Sequence, residues 1–139
     1  MKLKPQSVYT VKAEGPPDYY LGNDYKIDKK GRLCVGSKKY IKEVLTRIET
    51  IFGTLRKYDN PSKTGNNPEL DDSRALGDEE HQQYQMLMWI LIWVVGLGRS
   101  DVAHATSSLS IFSACTREGH LARALRIFGF LKKRPNRLL

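Results

Sequence analysis

Cysteine is nearly missing from this chain. Of 139 residues only Cys34 and Cys115 are cysteines, far apart and outside any Cys-x-x-Cys pair. That argues against a disulfide framework or a zinc finger and leaves reduced thiols in an intracellular protein, cytoplasmic or nuclear, as the expectation. The opening MKLKPQSVYTV has no apolar core of a secretory leader. Long hydrophobic runs are lacking too. Residues 86–95 are apolar throughout, but a bilayer span takes about 20 such residues, so no membrane partner is expected. The run reads instead as a helix buried on most of its circumference.

The usual marks of catalysis are equally sparse. His81, His104 and His120 share no i, i+4 face, so they read as packing or capping residues rather than a metal set. No Gly-x-Gly-x-x-Gly or other phosphate-binding loop occurs; Gly96-Leu97-Gly98 follows a helical run and reads as a turn. No serine or cysteine has a base partner that sequence can point to. Asp71-Asp72 is the tempting acidic pair, and no other tight pair lies near strand-like sequence. Paired aspartates hold two magnesium ions in polymerases, but they need rigid, strand-flanked placement. Here they stand in Pro68-Glu69-Leu70-Asp71-Asp72-Ser73, a polar stretch, and read as solvated loop acids. An independent small enzyme is therefore disfavoured.

Positive charge is abundant. The composition is 40% hydrophobic and 27% charged, ordinary for one globular domain or part of one, but the net charge is +8. Such an excess favours polyanion partners, and equally suits a merely soluble basic surface. The charge is uneven. Residues 117–137 hold seven basic side chains and one acid, whereas residues 55–80 hold seven acids and four bases. One end could face nucleic acid while the acidic stretch faces water.

The periodicities predict an α+β chain: an N-terminal antiparallel hairpin or meander, then a small bundle of about four helices. Residues 7–13 alternate as a strand, residues 18–27 form a second run, and residues 33–35 a third, with a hairpin closed at Asp28-Lys29-Lys30-Gly31. Tyr40, Ile41, Val44, Leu45, Ile48, Ile51 and Phe52 recur at helical spacing after Ser37, a candidate N-cap, and Gly53 ends that helix. Residues 54–77 have no period and read as a long exposed loop. Three helices close the chain: about residues 79–95, residues 100–114 capped by Ser100, and residues 116–133 capped by Thr116 and stopped by Pro135. On the last, Leu121, Leu125, Phe128 and Leu131 form an apolar stripe. Arg123, Arg126, Phe130, Lys133 and Arg137 form a second, basic stripe. A basic stripe with an interleaved aromatic suits a phosphate track, and it also suits an ordinary solvated face. Tyr20-Leu21-Gly22 is the other candidate, because a glycine within a strand can admit a close ligand or can simply mark a bulge.

Taken in order, these pieces resemble the region after the catalytic palm in copia-type retrotransposon reverse transcriptases, which are RNA-directed DNA polymerases. The pieces are Tyr20-Leu21-Gly22, Asp28-Lys29-Lys30-Gly31, Lys39-Tyr40-Ile41-Lys42, Leu70-Asp71-Asp72 and Tyr84-Gln85, then Leu97-Gly98-Arg99-Ser100-Asp101-Val102-Ala103 and the Gly-His-Leu helix of residues 119–131. The ordered set spans about residues 9–131. The resemblance implies a division into the end of a palm with a primer-grip hairpin (1–36), a first thumb helix (37–54), an exposed acidic loop (55–78) and a three-helix thumb or connection segment (79–139). It implies a fragment of a polyprotein that holds template–primer, an RNA–DNA or DNA duplex, without reading sequence. Tyr20, Leu21 and Gly22 would meet the primer end, and Arg123, Arg126, Lys133 and Arg137 the phosphates. The catalytic Tyr-x-Asp-Asp hairpin and the RNase H aspartates of that family are not in this sequence. No catalysis by this chain alone and no cofactor of its own are therefore expected, Mg2+ belonging with the palm. One departure stands out. After Tyr84-Gln85 the family places small or polar residues, but here stand Met86, Met88, Trp89, Ile90 and Ile92. These leave apolar surface bare wherever the palm is missing. The competing expectation is a decayed or co-opted interaction module that docks a partner, or itself, through Trp89, Ile92 and Trp93.

Overall fold

A computed structural model describes residues 18–136; the strand expected over residues 7–13 lies outside the described residues. The elements run β1 (Tyr19–Tyr20), β2 (Asn23–Ile27), β3 (Leu33–Gly36), α1 (Lys38–Phe52), α2 (Asp78–Gly96), α3 (Ala103–Ser110) and α4 (Glu118–Lys133). The strands form one antiparallel sheet in the order β1-β2-β3, so the chain is α+β as its periodicities predict.

Turn chemistry sets the sheet. Asp28 Oδ1 accepts the N–H groups of Lys30 (2.8 Å) and Arg32 (2.9 Å), and Gly31 sits at φ 76°, where a residue without Cβ is unstrained. This closes β2 on β3 with Tyr25 opposite Val35 and Ile27 opposite Leu33. The run over residues 18–27 is two strands rather than the single one expected. Leu21 and Gly22 both take positive φ, 50° and 89°, forming the two-residue turn whose twist matches antiparallel strands. Asn and Gly usually fill that turn, so a leucine there hides it from sequence reading.

The helix caps differ from those expected. Ser37 does stand at the N-cap of α1, but its hydroxyl makes no capping bond; Asp24 on β2 accepts the Lys39 N–H instead, at 3.0 Å. The cap thereby ties the sheet to α1. Gly53 ends α1 at φ 83°, its N–H donating to Glu49 O. The helix expected over residues 100–114 is a short 3-10 turn, then α3, then a second 3-10 turn. Its hydroxyls bond back to the main chain, from Ser108 to His104 O, Ser110 to Ser107 O and Ser113 to Ser110 O, which competes with regular helix. Thr116 does not cap α4 either. The N-cap is Arg117, whose N–H donates to His120 Nδ1 at 3.1 Å. Nε2 of His120 therefore carries the ring hydrogen and donates to Pro68 O at 2.8 Å, and the ring stacks on Phe112.

The core joins Ile41, Val44, Leu45 and Ile48 of α1 to Tyr84, Leu87, Met88, Leu91 and Val94 of α2. Leu109 of α3 and Ala124, Ile127, Phe128 and Leu131 of α4 belong to it as well. On α4, Leu121 and Leu125 of the expected apolar stripe only flank this core. Tyr84 donates its phenol hydrogen to Leu109 O at 2.6 Å, and burial pushes its pKa up. Over residues 86–95 helix α2 is buried or half-buried at seven of ten positions, as its apolar run predicts, and the other three share one face. Trp89 (72% exposed), Ile92 (47%) and Trp93 (47%) form an uncovered apolar face opposite the core.

Arg99 closes the turn between α2 and α3. It is 1% exposed, grips Asp101 through Nε and Nη2 at 3.0 and 2.9 Å, and donates from Nη1 to Arg134 O beyond the C-terminus of α4. A buried guanidinium without its partners is costly, so this turn is fastened to that helix end.

The segment between α1 and α2 crosses α4 at two glycines. A Cβ on Gly129 would stand 2.1 Å from Arg56 O, and one on Gly119 would stand 1.6 Å from Asp71 Oδ2. In an open helix Gly→Ala gains about 1 kcal/mol in propensity. At residue 129 the backbone carbonyl cannot yield, so we predict the reverse for Gly129→Ala. It should lose about 1–3 kcal/mol, read as a lower urea midpoint at unchanged slope. An equal or higher midpoint would refute the crossing.

Candidate functional site

The basic stripe of α4 faces the loop as well as solvent. Arg123 pairs with Asp71 and donates from Nε to Asn66 Oδ1 at 2.8 Å. Lys132 pairs with Glu49 of α1, and Lys133 with Asp59. Arg126 stacks on the Tyr58 ring, 4.2 Å from its centroid. Phe130, placed in this stripe by its spacing, is buried against the core instead. Spacing alone cannot tell a solvated face from one covered by another segment. Arg137 lies outside the described residues.

Asp71, expected to be a solvated loop acid, is the anchor of the crossing. Its side chain is 7% exposed and accepts hydrogen bonds from Ser73 and Arg123. The Ser73 hydroxyl first, then the Arg123 guanidinium, hold its carboxyl down at about 2, against a desolvation that acts the other way. From this anchor the loop serves the first turn of α4. Ser73 Oγ accepts the Gly119 N–H at 2.9 Å, and Arg74 O accepts the Glu118 N–H at 3.0 Å. Arg74 itself bridges Glu80 on α2 and Glu118 on α4. Asp72 beside it is exposed, and among the described residues no group of three or more His, Cys, Asp or Glu side chains is placed to hold a metal ion.

Tyr20, Leu21 and Gly22 form the tip of the β1–β2 hairpin, and the tip rests on the C-terminal end of α2. A Cβ on Gly22 would lie 3.0 Å from Leu97 Cδ1 and 3.3 Å from Trp93 Nε1. Tyr20 and Leu21 are themselves exposed. Hairpin tip and uncovered α2 face thus meet at Trp93. Leu21 holds left-handed backbone that costs a side chain with a Cβ about 1 kcal/mol.

A second basic surface is not evident from the sequence. Lys26, Lys29, Lys30, Lys38 and Lys42 are exposed around the β2–β3 turn and the start of α1, and among the described residues they enter no ion pair. Their only signal is a set of scattered lysines facing away from the apolar positions, which is how any solvated face looks. Only the fold gathers turn and helix start, by capping α1 with Asp24.

No helix among the described residues is long and apolar enough to cross a membrane. No known protein family, curated protein or solved structure matches this chain.

Two outcomes follow. The folded-state pKa of Asp71 lies below its ordinary 3.8, so its contribution is full above about pH 4 and fades as pH falls toward 2. Wild type should therefore lose about 2 kcal/mol more than Asp71→Asn across that window, by urea unfolding at each pH. Equal losses would remove Asp71 from its anchoring role. Asparagine offsets part of the left-handed backbone cost at residue 21 through local hydrogen bonds of its short polar side chain, so Leu21→Asn should raise stability by up to about 1 kcal/mol, seen as a higher Tm. A lower Tm would mean that Leu21 packs in a way its exposure denies.

Proposed function

We propose that this chain is a non-catalytic, partial reverse-transcriptase module of the copia type, and that it works by docking onto protein through the uncovered face of α2 and the hairpin tip. The observation that carries the docking is the exposure of Trp89, Ile92 and Trp93 on a helix whose opposite face is core. Buried aromatics supply much of the energy of protein interfaces, and three large apolar side chains on one helical face are far from the scattered exposure of ordinary surfaces. The ordered motifs from Tyr20-Leu21-Gly22 to the residue 119–131 helix support the family reading. They also point to a partner: the palm of the same polyprotein, which the bulky residues after Tyr84-Gln85 would meet.

The second reading is sequence-independent holding of a template–primer duplex. The lysines beside the hairpin, which enter no ion pair among the described residues, favour it. Arg123 and Lys133 favour it less, because a phosphate would have to displace Asp71 or Asp59.

The docking test supplies a copia-type palm segment in trans to the full chain. Complex formation should persist in high salt, as apolar association does. In Trp89→Lys/Trp93→Lys it should weaken by about thirtyfold or more, the scale of losing an aromatic hot spot. No complex, or one the double variant keeps, would end the docking reading. The duplex reading predicts that Lys29→Gln/Lys30→Gln/Lys38→Gln/Lys42→Gln lowers the salt dependence of binding by about 0.9 in log–log slope for each phosphate that the variant no longer neutralises. Fluorescence anisotropy over a salt series reads this directly, and an unchanged slope would dismiss the lysines.

A further inference from the structure

Arg126 and Lys63 stand apart from the basic residues around them. Arg123, Lys132 and Lys133 each have a carboxylate partner. Among the described residues Arg126 forms no ion pair, and its Nε is buried without a hydrogen-bond partner. The ring of Tyr58 lies against its guanidinium and fixes its plane. Lys63, exposed on the loop, forms no ion pair among the described residues either. Both side chains line one cleft of about 490 Å³ between the loop and α4, together with Thr64, Gly65, Asn66 and Arg123. Asp71 also lines it, but Arg123 neutralises that carboxylate. The lining therefore carries an excess of two positive charges, and its volume lies within the range of sites for small ligands, roughly 300–1,000 Å³.

We propose that this cleft is a binding site for a phosphate monoester, held by the Arg126 guanidinium and the Lys63 ammonium, with the Thr64 hydroxyl in reach of the same cleft. A planar guanidinium offers paired N–H donors that match phosphate oxygens, and an ammonium adds a mobile point charge. A dianion suits the excess of two charges. Nε is itself buried within the fold, which leaves the terminal amino groups of the guanidinium to meet the ligand. Such a phosphate has two sources, a free nucleotide or the 5′ end of an oligonucleotide. The site uses neither the α2 face nor the hairpin lysines, although Arg126 is also among the residues that the resemblance assigns to duplex phosphates.

The test is isothermal titration of the full chain with inorganic phosphate, AMP, and one oligonucleotide in 5′-phosphorylated and 5′-hydroxyl forms, at constant ionic strength. Binding of phosphate and AMP, weakened about tenfold in Lys63→Gln and in Arg126→Gln, supports the site with a free nucleotide as source. Binding of the 5′-phosphorylated strand alone, with the same two losses, supports it with a nucleic-acid end as source. Lys63→Gln alters an exposed loop side chain, so its loss of binding cannot be put down to misfolding. Absence of binding by every phosphate probe overturns the proposal. So does equal binding of the 5′-phosphorylated and 5′-hydroxyl strands when neither phosphate nor AMP binds, or binding that both variants retain.

Discussion

Asp71, with its carboxylate held by Ser73 and Arg123, fastens a long irregular segment onto the last helix. Without such anchors, residues 54–77 would close a loop between α1 and α2 with little to offset its conformational entropy. With them, the segment supplies what the first turn of α4 lacks. Ser73 and Arg74 take the Gly119 and Glu118 N–H groups, and Pro68 O receives the His120 ring. A buried ion pair adds little net stability against an apolar substitute, but breaking one partner is costly, so its main effect here is to fix where the loop lies. Gly119 and Gly129 are the complement of that placement, because the loop comes closer to α4 than any Cβ would permit.

The same neutralisation decides which charges stay available. A chain of net charge +8 looks uniformly suited to polyanions. Once folded, three bases of α4 are bound to carboxylates from elsewhere in the chain. Among the bases that enter no ion pair within the described residues are Arg126 and Lys63 at one cleft, and the lysines beside the hairpin on another surface. The apolar resources divide likewise. Helix α2 places Tyr84, Leu87, Met88, Leu91 and Val94 in the core and leaves Trp89, Ile92 and Trp93 uncovered beside the hairpin tip.

Features that depend on neighbours in the chain are legible in the sequence. The Asp28-Lys29-Lys30-Gly31 turn, the stop at Gly53 and the limits of α2 follow from local backbone preferences and helical periodicity, which act within a few residues. The role of His120 as a capping residue is legible for the same reason, since its partner Arg117 is three residues away. Leu21-Gly22 escapes sequence reading because leucine is a poor residue for the turn it occupies. Ser37 takes the expected N-cap position, but the hydroxyl caps expected of Ser37 and Thr116 do not form; Asp24 from the sheet and Arg74 from the loop accept N–H groups at those helix starts instead.

What the sequence by itself determined is the succession of strands and then helices, the excess of positive charge, and the apolar run that α2 must place somewhere. Tertiary structure alone decided which charges meet. Arg123 and Asp71 are 52 positions apart, and Lys132 and Glu49 are 83 apart. Periodicity has no reach over such separations, and two opposite charges in a sequence carry no record of whether the chain brings them together. Only the packed helices, with glycines where the loop crosses them, turn a basic stripe and an acidic loop into one neutralised contact and leave the cleft at Arg126 as its remainder.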